Sequence, residues 1–209
     1  RLVTDASHEL RTPLTSLRTN VELMQRASNL DPSMRGQIMD DVLFELDELT
    51  ALVSELVELA TDRHEMEEPE ETDFAMIVDA AVRRHRRRTN CEIVADLRPC
   101  RVSVVPALAE RAASNLIDNA VKWSPAGGRI DVDVREGRLR VRDRGPGISP
   151  AEWETVFDRF YRGDTARAAP GSGLGLSIVR HVARTFDGDA AIVATEGAGT
   201  SVELWFPLV

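Results

Sequence analysis

The sequence predicts two architectures in one chain: an α-helical hairpin of the kind that pairs into a dimeric four-helix bundle, followed by an α+β two-layer sandwich. Three observations predict it. Two heptad-like apolar stripes occupy the first sixty residues, an acidic Pro-containing stretch follows, and beyond it helical and strand patterns alternate to the end of the chain.

The first stripe is Ala6, Leu10, Leu14, Leu17, Val21 and Met24, whose spacings of 4, 4, 3, 4 and 3 fit one helix face from Leu2 to about Ala27. Asn29, Asp31 and Pro32 break it. A second helix runs from about Ser33 to Ala60 with Ile38, Val42, Leu46, Leu49, Val53, Leu56 and Ala60 on one side. Two helices with one wide apolar stripe each cannot bury those stripes alone, so the pattern predicts a symmetric homodimer. The stretch TDRHEMEEPEET at 61–72 is acidic, polar and carries Pro69, which marks a linker. This sets the expected domains at 1–62 for the hairpin, 63–72 for the linker and 73–209 for the second domain. Within the last, the patterns predict helices over about 74–88, 106–123 and 173–186. Strands are expected near 91–96, 101–104, 129–135, 138–143, 190–195 and 200–206.

Charge and composition narrow the function classes. Residues 1–72 hold 6 Arg and 17 Asp or Glu, whereas 73–209 hold 20 Lys or Arg and 18 Asp or Glu. An acidic front half argues against nucleic acid, and a near-neutral back half can host a phosphate site. The run RRHRRR at 83–88 has no interleaved aromatics and reads as a solvated helix face. Cys91 and Cys100 are too few for a disulfide framework and have no partner at metal-ligand spacing. No stretch approaches the roughly 18 consecutive apolar residues of a membrane span, so no membrane contact is expected of this piece. The chain opens on Arg1 inside a helical pattern, so a longer protein with any anchor or sensor upstream is expected. Of 26 basic residues the single Lys is Lys122, a compact ammonium that the planar fork of Arg does not mimic.

Four constellations carry chemistry. In SHELRTPL, His8 points about 160° away from the apolar stripe at 100° per residue and therefore faces water. Thr12 falls on the same outer face, and Pro13 removes a backbone donor there. Glu9 beside an exposed imidazole can orient the ring or take its proton; the bland reading is a surface histidine. In NLIDNAVKW, Asn115, Asn119 and Lys122 share a helix face at i, i+4 and i+7, so two amide oxygens and an ammonium converge in a way that suits Mg²⁺ and phosphate. A plain polar helix face is the alternative. In DRGPGI, Asp143 stands at a strand end with Gly145 and Gly147 beside it, fit either for a flat ligand or for an ordinary turn. Finally VFDRFYRG, a small polar stretch and GSGLGL read as an aromatic anchor, a mobile segment and a glycine-rich helix start, an arrangement able to cover phosphates. The spacing G-x-G-x-G matches neither the dinucleotide fingerprint nor the Walker loop.

Taken in this order, the motifs make the sequence resemble the histidine kinases of two-component systems, whose ATP domain of the GHKL or Bergerat type is shared with gyrase, Hsp90 and MutL. The resemblance spans essentially the whole chain: SHELRTPL resembles the H box, NLIDNAVKWS the N box, DRGPGI the first glycine box, VFDRFYRG the F box and GSGLGLSIV the second glycine box. It implies a cytoplasmic catalytic core of an inner-membrane sensor, with ATP and Mg²⁺ as cofactors and a response regulator as partner. It implies that His8 is the phosphoacceptor, Glu9 the acid that helps deprotonate it, and Thr12 the residue orienting water for dephosphorylation of the regulator. Asn119 would hold Mg²⁺ with Asn115 assisting, and Lys122 would contact phosphate. Asp143 would accept from the adenine amine, with Gly145 and Gly147 shaping the pocket. Arg159 and Arg162 would be lid cations, and Gly171, Gly173 and Gly175 would hinge the lid. Trp123 departs from the pattern, since the family usually carries Tyr or Phe there; a larger ring can still stack on adenine. The expected rivals are a dimeric scaffold with a silent nucleotide pocket, a serine kinase of the same ATP fold, and an ATP-driven clamp.

Overall fold

A computed structural model describes residues 14–25, 67–161, 163, 173–193 and 198–209, with scattered positions between 31 and 53. The chain divides into two compact units, with residues Arg1–Asp62 in the first and the body of the second spanning Arg63–Asp164 and Gly173–Val209.

In the first unit residues 14–25 are helical, as are the described positions between 34 and 53. Arg18 and Glu22 pair one turn apart at 2.8 Å, a modest local support for the helix. Of the predicted stripes, Ile38 and Val42 are buried, whereas Leu14, Val21, Leu46 and Val53 are exposed in the single chain. An apolar row left in water is what a hairpin shows when its own two helices cannot cover it.

The second unit runs β1 (Glu70–Asp73), α1 (Phe74–Arg86), β2 (Glu92–Leu97), β3 (Arg101–Val104), α2 (Pro106–Trp123), β4 (Arg129–Arg135), β5 (Arg138–Arg142), α3 (Gly175–Thr185), β6 (Asp189–Val193) and β7 (Ser201–Trp205), with short 3₁₀ turns at Pro150–Glu152 and Thr155–Phe157. Five strands form one sheet in the order β2-β4-β5-β7-β6, and β1 pairs with β3 in a separate ribbon. The pair β2–β4 is parallel with Ile93 opposite Ile130, and the other pairs of the large sheet are antiparallel.

Strict alternation makes this sheet two-faced. In RIDVDVR the residues Ile130, Val132 and Val134 are buried, and Leu139, Val141, Val202 and Leu204 join them on the same side. The helices α1, α2 and α3 pack in a row against that side, α2 between the other two. Leu108, Ala112, Leu116 and Ile117 turn the inner face of α2 into the core, where each fully buried aliphatic contributes about 1.5–3 kcal/mol. The opposite face of the sheet is a ladder of charges: Glu203 accepts from Arg138 and Arg140 at 2.7 Å each, and Asp131 accepts from Arg144 at 2.6 Å.

Helix starts follow local chemistry. Asp73 caps α1 by accepting from the Ala75 N–H at 3.0 Å, and it also accepts from the Cys100 N–H at 3.3 Å, which ties the cap to the turn before β3. Pro106 opens α2 at the position where a missing donor costs nothing. The helix at 106–123 and the strands at 101–104 and 129–135 are found as predicted, the other elements have ends shifted by one or two residues, and α1 stops at Arg86 rather than 88. One expectation needs correction. Glu70–Thr72, assigned to the linker, form β1 with Asp73, because pairing with β3 uses main-chain groups and leaves the acidic side chains in solvent.

Phe74 is fully buried edge-on to Phe206, with ring centroids 5.2 Å apart. Phe74→Ala is expected to lower the unfolding free energy by about 3–5 kcal/mol in urea titrations. Met76→Ala, two residues along the same helix but exposed, should change it by less than about 0.5 kcal/mol.

Candidate functional site

The site grows from the outer face of α2. Its inner face is committed to the core, which leaves Asn115, Asn119 and Lys122 on neighbouring turns of one side. Asn119 and Lys122 are both tied to the residue that ends the helix. The Trp123 indole Nε1–H donates to Asn119 Oδ1 at 3.1 Å, and the Lys122 ammonium lies 4.9 Å from the centre of the Trp123 ring. Asn115 Nδ2 is buried and has no hydrogen-bond partner among the described residues, a donor that a polar ligand group would satisfy.

The segment after β5 closes on the end of this helix. A Cβ on Gly145 would stand 2.5 Å from the Trp123 carbonyl oxygen and 3.0 Å from Asp143 Oδ1, so only glycine permits the approach. Asp143 is 2% exposed. Its Oδ1 accepts from the Gly145 N–H at 2.7 Å and the Thr200 N–H at 3.0 Å, and its own N–H donates to the Thr200 carbonyl at 2.9 Å. Burial pushes this carboxyl above the usual range, although those two N–H groups and the nearby Arg144 oppose the shift. Among the described residues, both hydrogen bonds to the carboxylate fall on Oδ1. A carboxylate held this way presents its second oxygen as an acceptor of fixed direction. Gly147 lies close to the Gly199 carbonyl, and Gly199 packs on the backbone of Asp143 and Arg144.

The F-box stretch is anchored at several points. Trp153 Nε1 donates to the Ile148 carbonyl at 3.1 Å, and the Tyr161 hydroxyl donates to Glu152 at 2.7 Å. Arg180, on the second turn of α3, stacks 4.8 Å over the buried Phe157 ring while donating to Glu154 at 3.0 Å and to Asp189 at 2.9 Å. Gly173, at φ +73°, lies against the backbone of Phe160 and Tyr161. A side chain there would be strained twice, by the dihedral and by contacts of 2.8 Å. Gly175 is the first residue of α3 and has open space around it.

The structure thus brings Asn119, Lys122, Trp123, Asp143 and Gly145 together, with Asn115 one turn back along α2 and Gly147 adjoining. Gly173 and Gly175 sit at the start of α3 beside the F-box stretch. Arg159 is exposed and joins no described contact to the α2 group. His8, Glu9, Thr12, Arg162 and Gly171 lie outside the described residues. Sequence reasoning missed Gly199 and Thr200, which brace Asp143 across the β5–β7 pairing, and Arg180, which holds Phe157. The signal for the first was a lone Gly-Thr pair just before the last strand; for Arg180, its i+5 position from Gly175 carries no hint of a ring partner. Among the described residues no helix is long and apolar enough to cross a membrane, and no cluster of His, Cys, Asp or Glu could hold a metal ion. What α2 itself offers a hard cation on this face is the amide oxygens of Asn115 and Asn119.

Comparison with known proteins gives two family matches. Residues 104–209 match the model described as Histidine kinase-, DNA gyrase B-, and HSP90-like ATPase, and residues 1–65 match the His Kinase A (phospho-acceptor) domain. The chain is 43% identical over 222 residues to the signal transduction histidine-protein kinase/phosphatase MprB of Mycolicibacterium smegmatis, covering 99% of this chain and 45% of that protein. Among solved structures, a mycobacterial sensor histidine kinase MprB aligns with a TM-score of 0.60 at 36% identity, over 67% of this chain and all of that one. The Acinetobacter baumannii histidine kinase AdeS shares the fold over 96% of this chain and 98% of its own, with a TM-score of 0.65 at 22% identity. The chain spans less than half the length of the curated relatives it matches.

Asp189 offers a pH handle on the Arg180 anchor. Burial pushes its carboxyl up, but hydrogen bonds from Arg184 and Arg180 prevail and hold it down at about 2. A depressed folded pKa gives stability that is present above the ordinary value near 4 and is lost as pH falls through the folded value. Asp189→Asn should therefore be less stable than wild type at pH 7 and lose less stability between pH 4 and pH 2, read from denaturant midpoints across that range.

Proposed function

Since the chain belongs to the sensor histidine kinases of two-component systems, we propose that it is the catalytic core of one: it transfers the γ-phosphoryl group of ATP to His8 and passes it to an aspartate of a separate response regulator. The observation that carries this reading is the close approach of Gly145 to Trp123, which sets the buried acceptor Asp143 at the end of the Asn115–Asn119–Lys122 face. A candidate acceptor for the base and a candidate phosphate-binding face then meet at one helix terminus, which suits a nucleoside triphosphate.

In this reading Asp143 accepts from the exocyclic amine of adenine, and Gly145 and Gly147 let the flat base approach the backbone. Trp123 offers its ring to the nucleotide, Lys122 contacts phosphate, and Asn119 with Asn115 supplies oxygens to Mg²⁺. The buried, unpartnered Nδ2 of Asn115 is a donor and fits a phosphate oxygen. Mg²⁺ held by Asn119 and Asn115 would neutralise the charge that develops on the phosphates. Gly171, Gly173 and Gly175 hinge the lid, and Arg159 and Arg162 serve it as cations.

His8 is the nucleophile. Its imidazole nitrogen forms the bond to the γ-phosphorus as the bond to the ADP oxygen breaks, and Glu9 takes the ring proton. The phosphoramidate formed is labile, which suits onward transfer. Thr12 orients the water that dephosphorylates the regulator, a phosphatase role that the relatives' printed name also carries. We assign 1–62 to dimerisation and phosphotransfer and the segment from Glu70 onward to ATP binding; the exposed row of Leu14, Val21, Leu46 and Val53 favours a homodimer through the hairpin. The chain is read as the cytoplasmic portion of a membrane-anchored sensor.

Incubation with γ-labelled ATP decides the assignment. Wild type is expected to take up acid-labile, alkali-stable label and His8→Gln none; acid-stable label retained in the variant would overturn it. Asp143→Ala should weaken nucleotide binding roughly tenfold to hundredfold, measured by calorimetry.

A further inference from the structure

A buried ring and an exposed carboxylate join α1 to the nucleotide helix α2. His85, near the end of α1, is 7% exposed and sits in the run of arginines at 83–88. Its Nδ1 is 2.8 Å from the Ala81 carbonyl oxygen and its Nε2 is 2.9 Å from Asp118 Oδ1. Both partners are acceptors with no hydrogen to give, so the two contacts are made together only by the doubly protonated ring. The Asp118 hydrogen bond raises the pKa of His85, against the opposing effect of burial. A second tie joins the same two helices, Arg84 to Glu110, two turns earlier on α2.

Asp118 is in a delicate place. It directly precedes Asn119 and stands one turn before Lys122, the i,i+4 spacing at which an acid and a lysine pair on a helix surface. Its side chain is 67% exposed. A carboxylate free at this point would draw Lys122 toward itself and repel a triphosphate. We propose that His85 is a positioning residue for nucleotide binding: its protonated ring holds the Asp118 carboxylate back against α1 and offsets its charge, which weakens both its pull on Lys122 and its repulsion of the phosphates. This rests on the nucleotide reading above and adds to it a residue from outside the motifs.

A plain helix-to-helix tie makes a different prediction, so the two are separable by rescue. Binding of a non-hydrolysable ATP analogue with Mg²⁺ to the 209-residue chain is measured by calorimetry for wild type, His85→Gln, Asp118→Asn and the double variant. His85→Gln should bind about fivefold more weakly, the size of one charge–charge interaction across about 8 Å at intermediate dielectric. Asp118→Asn should stay within about twofold of wild type, and the double variant should recover to that level, since removing the carboxylate removes the need for its partner. Equal losses in all three variants, or an unchanged His85→Gln, would overturn the proposal. Should His85→Gln not fold, His85→Lys decides. It keeps a cation beside Asp118 and should bind within about twofold of wild type, and a fivefold loss there would count against the idea. Absence of binding by wild type would instead overturn the nucleotide reading itself.

Discussion

Burial of the Asp143 carboxylate is the constraint on which the rest of the site depends. A charge at 2% exposure is sustainable only when donors meet it. Here they are main-chain N–H groups, from Gly145 in the following turn and from Thr200 across the sheet. That requirement fixes two loops at once. The turn after β5 must curl back so that its amide reaches Oδ1, and the approach to β7 must pass close enough that only glycine fits at 199. Once curled, the turn has no room except against the Trp123 carbonyl, and the end of α2 is thereby set relative to the sheet. The polar face of the helix and the acceptor carboxylate are positioned by one interaction rather than by two independent ones.

Most of the second unit was legible because its periodicities are clean. RIDVDVR alternates without a flaw, and α2 carries a Pro start and an apolar face at helical spacing, so both could be placed to the residue. The N box, the first glycine box and the second were equally visible as residues on particular elements. What stayed hidden was whatever depends on partners remote in sequence. The strand at 70–73 has no apolar alternation, since its ribbon with β3 is held by the main chain, and acidic composition masked it. Thr200 contributes an amide, which every residue type but proline has. His85 was lost in an arginine run whose other members do face solvent, because burial of one ring in six residues leaves no compositional trace. Nor does a sequence say that the indole at 123 reaches back one turn to the Asn119 amide, a link that the Tyr or Phe expected there has no ring N–H to make.

The charged outer face of the large sheet explains part of the arginine excess. Glu203 is nearly enclosed by Arg138 and Arg140, and Asp131 is met from two sides by Arg129 and Arg144. A planar fork can serve one carboxylate with two parallel N–H groups or reach two strands together, and a lysine can do neither. Exposed pairs of this type contribute little singly. Their effect here is to let a sheet with one face uncovered remain polar without repelling itself. The single lysine stands apart from this network, over the Trp123 ring at the end of α2.

The parallel pairing of β2 with β4 has a consequence for how the molecule assembles. Ile93 meets Ile130 only after the chain has passed through β3 and the whole of α2, so the pair closes a long loop that contains the polar helix. Loop closure is entropically costly and makes such contacts late and slow. The helix that carries the Asn115–Asn119–Lys122 face is therefore also part of the loop that the β2–β4 pairing closes. Any ligand that binds only the folded form of that helix therefore stabilises the closed loop as well, by an amount that grows with its concentration above the dissociation constant.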